Sequence, residues 1–133
     1  MNNNVKIPAD FLIEIFDKSD TRTKRVFIES KNCPTEILEK SADDENSLIR
    51  KIVAENPNCP IHILEKLSND GNSLVRYTVA ENPNCPPYVL EKLSNDKNSD
   101  IRCNVAKHHN CPVHILEKLS NDEYWHVRAV VFK

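Results

Sequence analysis

The sequence predicts an all-α, right-handed α-solenoid of about five 26-residue repeats, each made of two helical segments. Three observations carry this. Cys33, Cys59, Cys85 and Cys111 stand at a constant spacing of 26 residues, and each opens a rewritten version of the same stretch. A fixed period between about 20 and 50 residues is the mark of a solenoid. Within each copy, apolar residues recur at helical spacing between proline and asparagine boundaries, and period-2 alternation is absent. One glycine in 133 residues leaves few tight hairpin turns.

The copies follow in order. Residues 7–32 are a diverged first copy. Moving Pro34 back one period lands on Pro8, Phe11 and Leu12 fall on Ile37 and Leu38, and Val26 and Phe27 fall on Ile52 and Val53. This copy lacks the cysteine and has larger core residues, as expected of a terminal repeat that caps one end. The polar leader before Ile7 is expected to fray. Copies two to four are residues 33–58, 59–84 and 85–110, and copy five, 111–133, is truncated. Residues 1–133 read as one solenoid domain.

Copy three shows the internal pattern. Its first segment starts at Pro60, which suits a first helical position because the missing N–H has no partner there anyway. Ile63, Leu64 and Leu67 mark one face, and the segment ends at Ser68-Asn69-Asp70. The second segment starts after Asn72 or Ser73, both good N-caps. It buries Val75, Val79 and Ala80 and stops at Asn82-Pro83, since proline disfavours helix in the residue before it. Helices this short are marginal alone, so stacking must bury the roughly six apolar side chains of each copy. In copy two, Ser41 replaces the leucine of Leu67, Leu93 and Leu119, which weakens the core there or marks the join to the larger first copy.

Bulk properties exclude several classes. A net charge of −2, from 18 basic and 20 acidic residues, offers no overall attraction to a phosphate backbone. No run approaches the ~18 apolar residues of a membrane span, and the N-terminus does not read as a signal peptide. An odd count of five cysteines argues against a paired disulfide framework, which points to a reducing, cytoplasmic setting. There is no Gly-rich phosphate loop.

The stretch Asp70 to Val79, D-x-x-x-x-V-R-x-x-V, resembles the second half of a HEAT repeat. That resemblance implies an Asp–Arg ladder of Asp44 with Arg50, Asp70 with Arg76, Asp96 with Arg102, and Asp122 with Arg128. The whole unit, N-P-N-C-P-x-x-(I/V)-L-E-K-L, is more closely similar to the leucine-rich repeat variant family. This likeness covers nearly the whole chain and implies short two-helix repeats in which one segment is either α or 3₁₀. Some members of that family carry an iron–sulfur cluster on a Cys-rich N-terminal segment. Residues 1–32 here contain no cysteine, so that feature does not carry over.

The residues that tempt a chemical reading have structural explanations. Equivalent positions in stacked helices lie roughly 8–10 Å apart. Zinc–thiolate bonds are about 2.3 Å and disulfides need Cα atoms within about 7 Å. The repeat cysteines are therefore expected to be reduced, metal-free and buried in the inter-repeat turn. Cys103, at the position of Tyr77 and Lys51, is expected to be a more exposed thiol. His108 and His109, with His114 nearby, form the densest cluster of potential ligands. They replace the Asn-Pro of other copies and read as solvated imidazoles in an altered loop. The Arg row reads as a register device and the Glu65-Lys66 pairs as a solvated stripe. No catalytic set and no cofactor site are visible.

Differences among copies locate where function would lie. One set is Thr35-Glu36, Ile61-His62, Pro87-Tyr88 and Val113-His114. The other is Leu48, Lys51 and Ile52; Leu74, Tyr77 and Thr78; Asp100, Cys103 and Asn104; His126, Ala129 and Val130. These share one helix face at i, i+3, i+4, and solenoids bind extended partners on such a face. The leading expectation is a non-enzymatic scaffold that binds a protein partner there. The alternative is a HEAT-like nucleic-acid-binding module, against which the net charge speaks. A third is a structural fragment of a longer array. At the C-terminal end, Trp125 and Phe132 are expected to fold back and seal the last apolar face. The other expectation is a weak homodimer through that end.

Overall fold

The computed structural model describes residues 7–133, so the leader and its expected fraying lie outside the described residues. Ten helices follow in order: α1 (Ala9–Lys18), α2 (Thr21–Glu29), α3 (Thr35–Ser41), α4 (Ser47–Glu55), α5 (Ile61–Leu67), α6 (Ser73–Glu81), α7 (Pro87–Leu93), α8 (Ser99–Lys107), α9 (Val113–Leu119) and α10 (Trp125–Val131). The chain is an all-α solenoid with two helices per copy. Every helix is α, so the 3₁₀ alternative is not realised among the described residues.

The prolines sit one position earlier than expected. Pro8, Pro34, Pro60 and Pro112 are N-caps, not first helical residues, and Pro86 caps α7 with Pro87 following it. Their extended ψ sets the entry angle, and the carbonyl starts the helical ladder, as in Leu64 N–H to Pro60 O at 3.1 Å. Proline's fixed φ lowers the cost of that entry. The second helix of each copy is capped by a side chain: Asn46, Asn72 and Asn98 accept the N–H of Leu48, Leu74 and Asp100. Asp20 does this for α2 through Thr23 N–H. Tyr124 stands in that place before α10 and makes no side-chain cap bond.

The even-numbered helices stack directly on one another as an inner layer. Each odd-numbered helix from α3 to α9 wedges between the even helix before it and the one after, forming an outer layer. The apolar stripe runs between the layers. Ile63, Leu64, Leu67, Val75, Val79 and Ala80 are all buried, as are their counterparts Ile37, Leu38, Val89, Leu90, Leu93, Ile101 and Val105. Each large aliphatic buried this way contributes about 1.5–3 kcal/mol, and each inner helix packs on that of the next copy, so the copies hold one another.

Copy one closes the N-terminal junction with aromatics. Phe16 is buried and meets Phe27 edge to face, with ring centroids 5.9 Å apart. Ser41, close by on α3, is buried with its Oγ lacking a hydrogen-bond partner among the described residues. The serine therefore puts an unsatisfied hydroxyl into the core where copy one meets the regular repeats.

Candidate functional site

Two polar ladders run the length of the stack and fix where the variable residues stand. The first is the Asp–Arg ladder, paired differently from the sequence expectation. Arg50 Nε and Nη2 donate to both carboxylate oxygens of Asp70, at 2.7 and 3.1 Å, while Nη1 donates to the backbone carbonyl of Asp44 at 2.7 Å. Arg76 does the same with Asp96 and the Asp70 carbonyl, and Arg102 with Asp122 and the Asp96 carbonyl. Each arginine thus takes its own copy's aspartate only through the backbone. The carboxylate it holds belongs to the next copy, a contact that spacing within one copy does not reveal. Each captured carboxylate also accepts the N–H two residues on, as Asp70 does from Asn72, which shapes the turn before the inner helix. The fork geometry suits guanidinium to carboxylate. Asp122 shows the effect: hydrogen bonds from Arg102, acting against burial, hold its carboxyl below the usual carboxylate range. Asp44 has no arginine behind it, and Arg128 makes only the Asp122 carbonyl bond, so those ends carry no carboxylate rung among the described residues.

The second ladder was not foreseen. Asn56 Nδ2 donates to the carbonyls of Ile28 and Ser30 one copy back, at 2.6 and 3.0 Å, and Asn82 repeats this with Ala54 and Asn56. Their Oδ1 atoms accept the N–H of Asn58 and Asn84. Both asparagines are buried, and a buried amide must be satisfied on both sides. The signal was present in the sequence: an asparagine stands just after α4 and again after α6, at the place that reads as a helix stop. His108 takes the same place in copy four, with Nε2 2.7 Å from the Asn82 carbonyl and Nδ1 accepting Asn110 N–H at 3.0 Å. It is therefore a half-buried ladder member, not the solvated imidazole expected. Its ring stacks on the exposed His109.

The repeat cysteines sit in the inter-repeat turns, where burial pushes the thiols of Cys59 and Cys85 up to about 12 and that of Cys33 to about 11. A thiolate there is costly, which disfavours metal ligation. Cys103 is not the exposed thiol expected. It is 8 % exposed, although Lys51 and Tyr77 at the same place in earlier copies are only partly covered.

The variable face is stepped. Leu48, Leu74 and Asp100 are exposed along its rim, and Lys51, Tyr77 and His126 are partly covered. Ile52, Thr78, Cys103 and Asn104 are buried, so these members of the expected partner-binding set offer a partner little surface. The i+4 row lies between stacked inner helices and is covered by them. Thr78 turns its hydroxyl back to the Leu74 carbonyl, and Lys51 pairs with Glu55. The structure nonetheless gathers most of this set. Leu74, Tyr77, Asp100, Cys103, Asn104 and His126 line one groove of about 510 Å³ on α6, α8 and α10, with Lys107 at its edge. Leu48, Lys51, Ile52 and Thr78 do not line it. On the outer layer, His62 meets Glu39 at 2.9 Å and Tyr88 donates to Glu65 at 3.2 Å. These contacts are exposed, and such pairs contribute little.

At the C-terminal end the expected self-sealing does not occur. Trp125 is 72 % and Phe132 80 % exposed. Both replace small residues, since Ser99 and Ala106 stand one copy earlier, and the Trp125 ring meets that of His126 edge to face, with centroids 6.0 Å apart. Tyr124 instead lies against the last closed rung, its ring centroid 5.6 Å from the Arg102 guanidinium.

No protein-family model matches the chain, and no curated protein does. One solved structure, described as a leucine-rich repeat variant with a novel repetitive protein structural motif, superposes with a TM-score of 0.75 at 21% identity. The match covers 96% of this chain and 51% of that one, so this chain spans about half its length. The likeness establishes the fold: the molecule has the α-helical repeat fold of the leucine-rich repeat variant type. Among the described residues, no helix is long and apolar enough to cross a membrane.

Proposed function

We propose that this protein is a non-enzymatic scaffold that binds a protein partner in the inner groove between α6 and α10. One observation carries the reading. The residues that differ most between otherwise near-identical copies, Leu74, Tyr77, Asp100, Cys103, Asn104 and His126, line a single groove. The Asp–Arg rungs of the same helices keep the same chemistry from copy to copy. The groove mixes exposed apolar surface from Leu74 and Tyr77 with charge of both signs from Asp100 and Lys107. A mixed surface of this kind suits a polypeptide better than a phosphate backbone, which asks for a basic track.

The test is site-specific photocrosslinking in the host cell, with the reactive side chain placed at Tyr77 and, as control, at outer-layer Glu65. Discrete protein adducts from position 77 and none from position 65 are expected. No adduct from position 77, or adducts there only with nucleic acid, would reject the proposal.

A further inference from the structure

The buried asparagine row contains one titratable substitution. An asparagine amide presents a donor on one side and an acceptor on the other at every pH. An imidazole does so only when neutral and only in one tautomer. We infer that His108 makes the turn between α8 and α9 a proton-sensitive joint, closed while the ring is neutral and loosened when it takes a proton. The geometry fixes the tautomer. Nε2 faces the Asn82 carbonyl at 2.7 Å and must carry the hydrogen, while Nδ1 faces Asn110 N–H at 3.0 Å and must be bare. A proton added at Nδ1 sets two N–H donors against each other. The bond to Asn82 survives, but the one that closes the turn at Asn110, just ahead of Cys111 and Pro112, is lost.

The surroundings oppose protonation more than they favour it. His109 stacks on the ring at 4.7 Å, and Lys107 at the end of α8 lines the same hollow. Glu81, at the end of α6, is the one acidic group lining it and is exposed to solvent. Ala80, Pro83 and Asn104 complete the hollow and carry no charge. Burial lowers the His108 pKa from its ordinary 6.5, against the pull of the Asn82 carbonyl and with a smaller push from His109. The folded chain therefore binds this proton less readily than the unfolded chain. The joint contributes fully above pH 6.5 and weakens as pH falls through that value toward the lower folded one.

Amide exchange by NMR on the full chain, from about pH 7.5 to about pH 5 and corrected for intrinsic exchange, reads the joint directly. Asn58 and Asn84 are internal standards, because their N–H groups make the same bond to asparagine oxygens. Protection of Asn110 is expected to fall about tenfold relative to Asn84 in the native chain, to stay level in His108→Asn, and to fall as before in His109→Asn. If Asn110 tracks Asn84 throughout, or if His108→Asn still shows the drop, the inference is wrong. The ring nitrogen shifts of the unmutated protein give a second readout free of any folding defect: an Nε2–H tautomer is expected, and an Nδ1–H tautomer contradicts the joint.

Discussion

The junction between copies three and four and the junction between copies one and two solve one packing problem with different chemistry. At the former, Arg76 bridges the Asp96 carboxylate and the Asp70 carbonyl, with both side chains nearly covered. At the latter, Lys18 and Lys24 stand where later copies have aspartate and arginine. There α1 runs to 10 residues where α3 has 7, so the tight aspartate turn is replaced by helix. Lys24 lies 5.2 Å over the ring of Phe16, and no carboxylate–guanidinium rung forms there among the described residues. The asparagine row crosses here, from Asn56 to Ile28 and Ser30, together with an exposed ion pair between Lys40 and Asp17 at 2.6 Å. Apolar burial thus provides adhesion at both junctions. The charged ladder is added where neighbouring copies are nearly alike and their stripes would fit in more than one alignment.

The strongest way to break this contrast is to remove one arginine and one lysine from equivalent places. Arg76→Ala is expected to destabilise by about 2–4 kcal/mol, because it strands the buried Asp96 carboxylate. Lys24→Ala should stay within about 0.5 kcal/mol. Urea unfolding checks both, and equal small effects would show that the rung is solvated. Next in size, Asn82→Ala removes the side-chain donor to the Ala54 carbonyl and the acceptor of Asn84 N–H, while the Asn56 carbonyl keeps Cys59 N–H, and should cost about 1–3 kcal/mol. Its copy-one counterpart, Ser30→Ala, loses only an exposed bond from Asn32 N–H and should be near neutral.

These contrasts separate what was legible in the sequence from what was not. The 26-residue period, helix boundaries near Pro60 and Asn82, and core residues such as Leu64 and Val79 follow from composition and spacing, because burial in a stack repeats with the copy. The partner of Arg76 did not follow. Asp70 and Asp96 are chemically identical candidates, and only the rise from one copy to the next decides between them. Asn82 was legible as a helix stop but not as a ladder, since its acceptors are backbone carbonyls, which leave no trace in sequence. Cys103 and Asn104 line one groove with Tyr77 and Asp100, as helical spacing suggests, yet their burial depends on how closely inner helices approach. The exposure of Trp125 runs against the usual burial of aromatics for a local reason: it opens its helix at the place where Ser73 faces solvent in copy three.

Smaller effects sharpen the picture. Ser41→Ala removes a buried hydroxyl without a partner and is expected to raise stability by about 0.5–1 kcal/mol, read by thermal melting. A loss on that change would mean that Ser41 is satisfied, for instance by a buried water. Leu74→Ser, on the groove rim, should move stability by no more than about 0.5 kcal/mol while abolishing crosslinking from position 77. A large stability loss would assign Leu74 to the core and remove it from the binding face.

The account stands most directly on the ladder being a link between copies, and a double-mutant cycle measures that. Arg76 is cycled once with Asp96, the carboxylate of the next copy, and once with Asp70, the aspartate of its own copy, each changed to alanine. A coupling of about 1.5–3 kcal/mol for Arg76 with Asp96 is expected. For Arg76 with Asp70 it should be near zero, because alanine keeps the carbonyl that Arg76 uses. The reverse order, or two couplings of equal size, would place the rung within each copy and contradict the account.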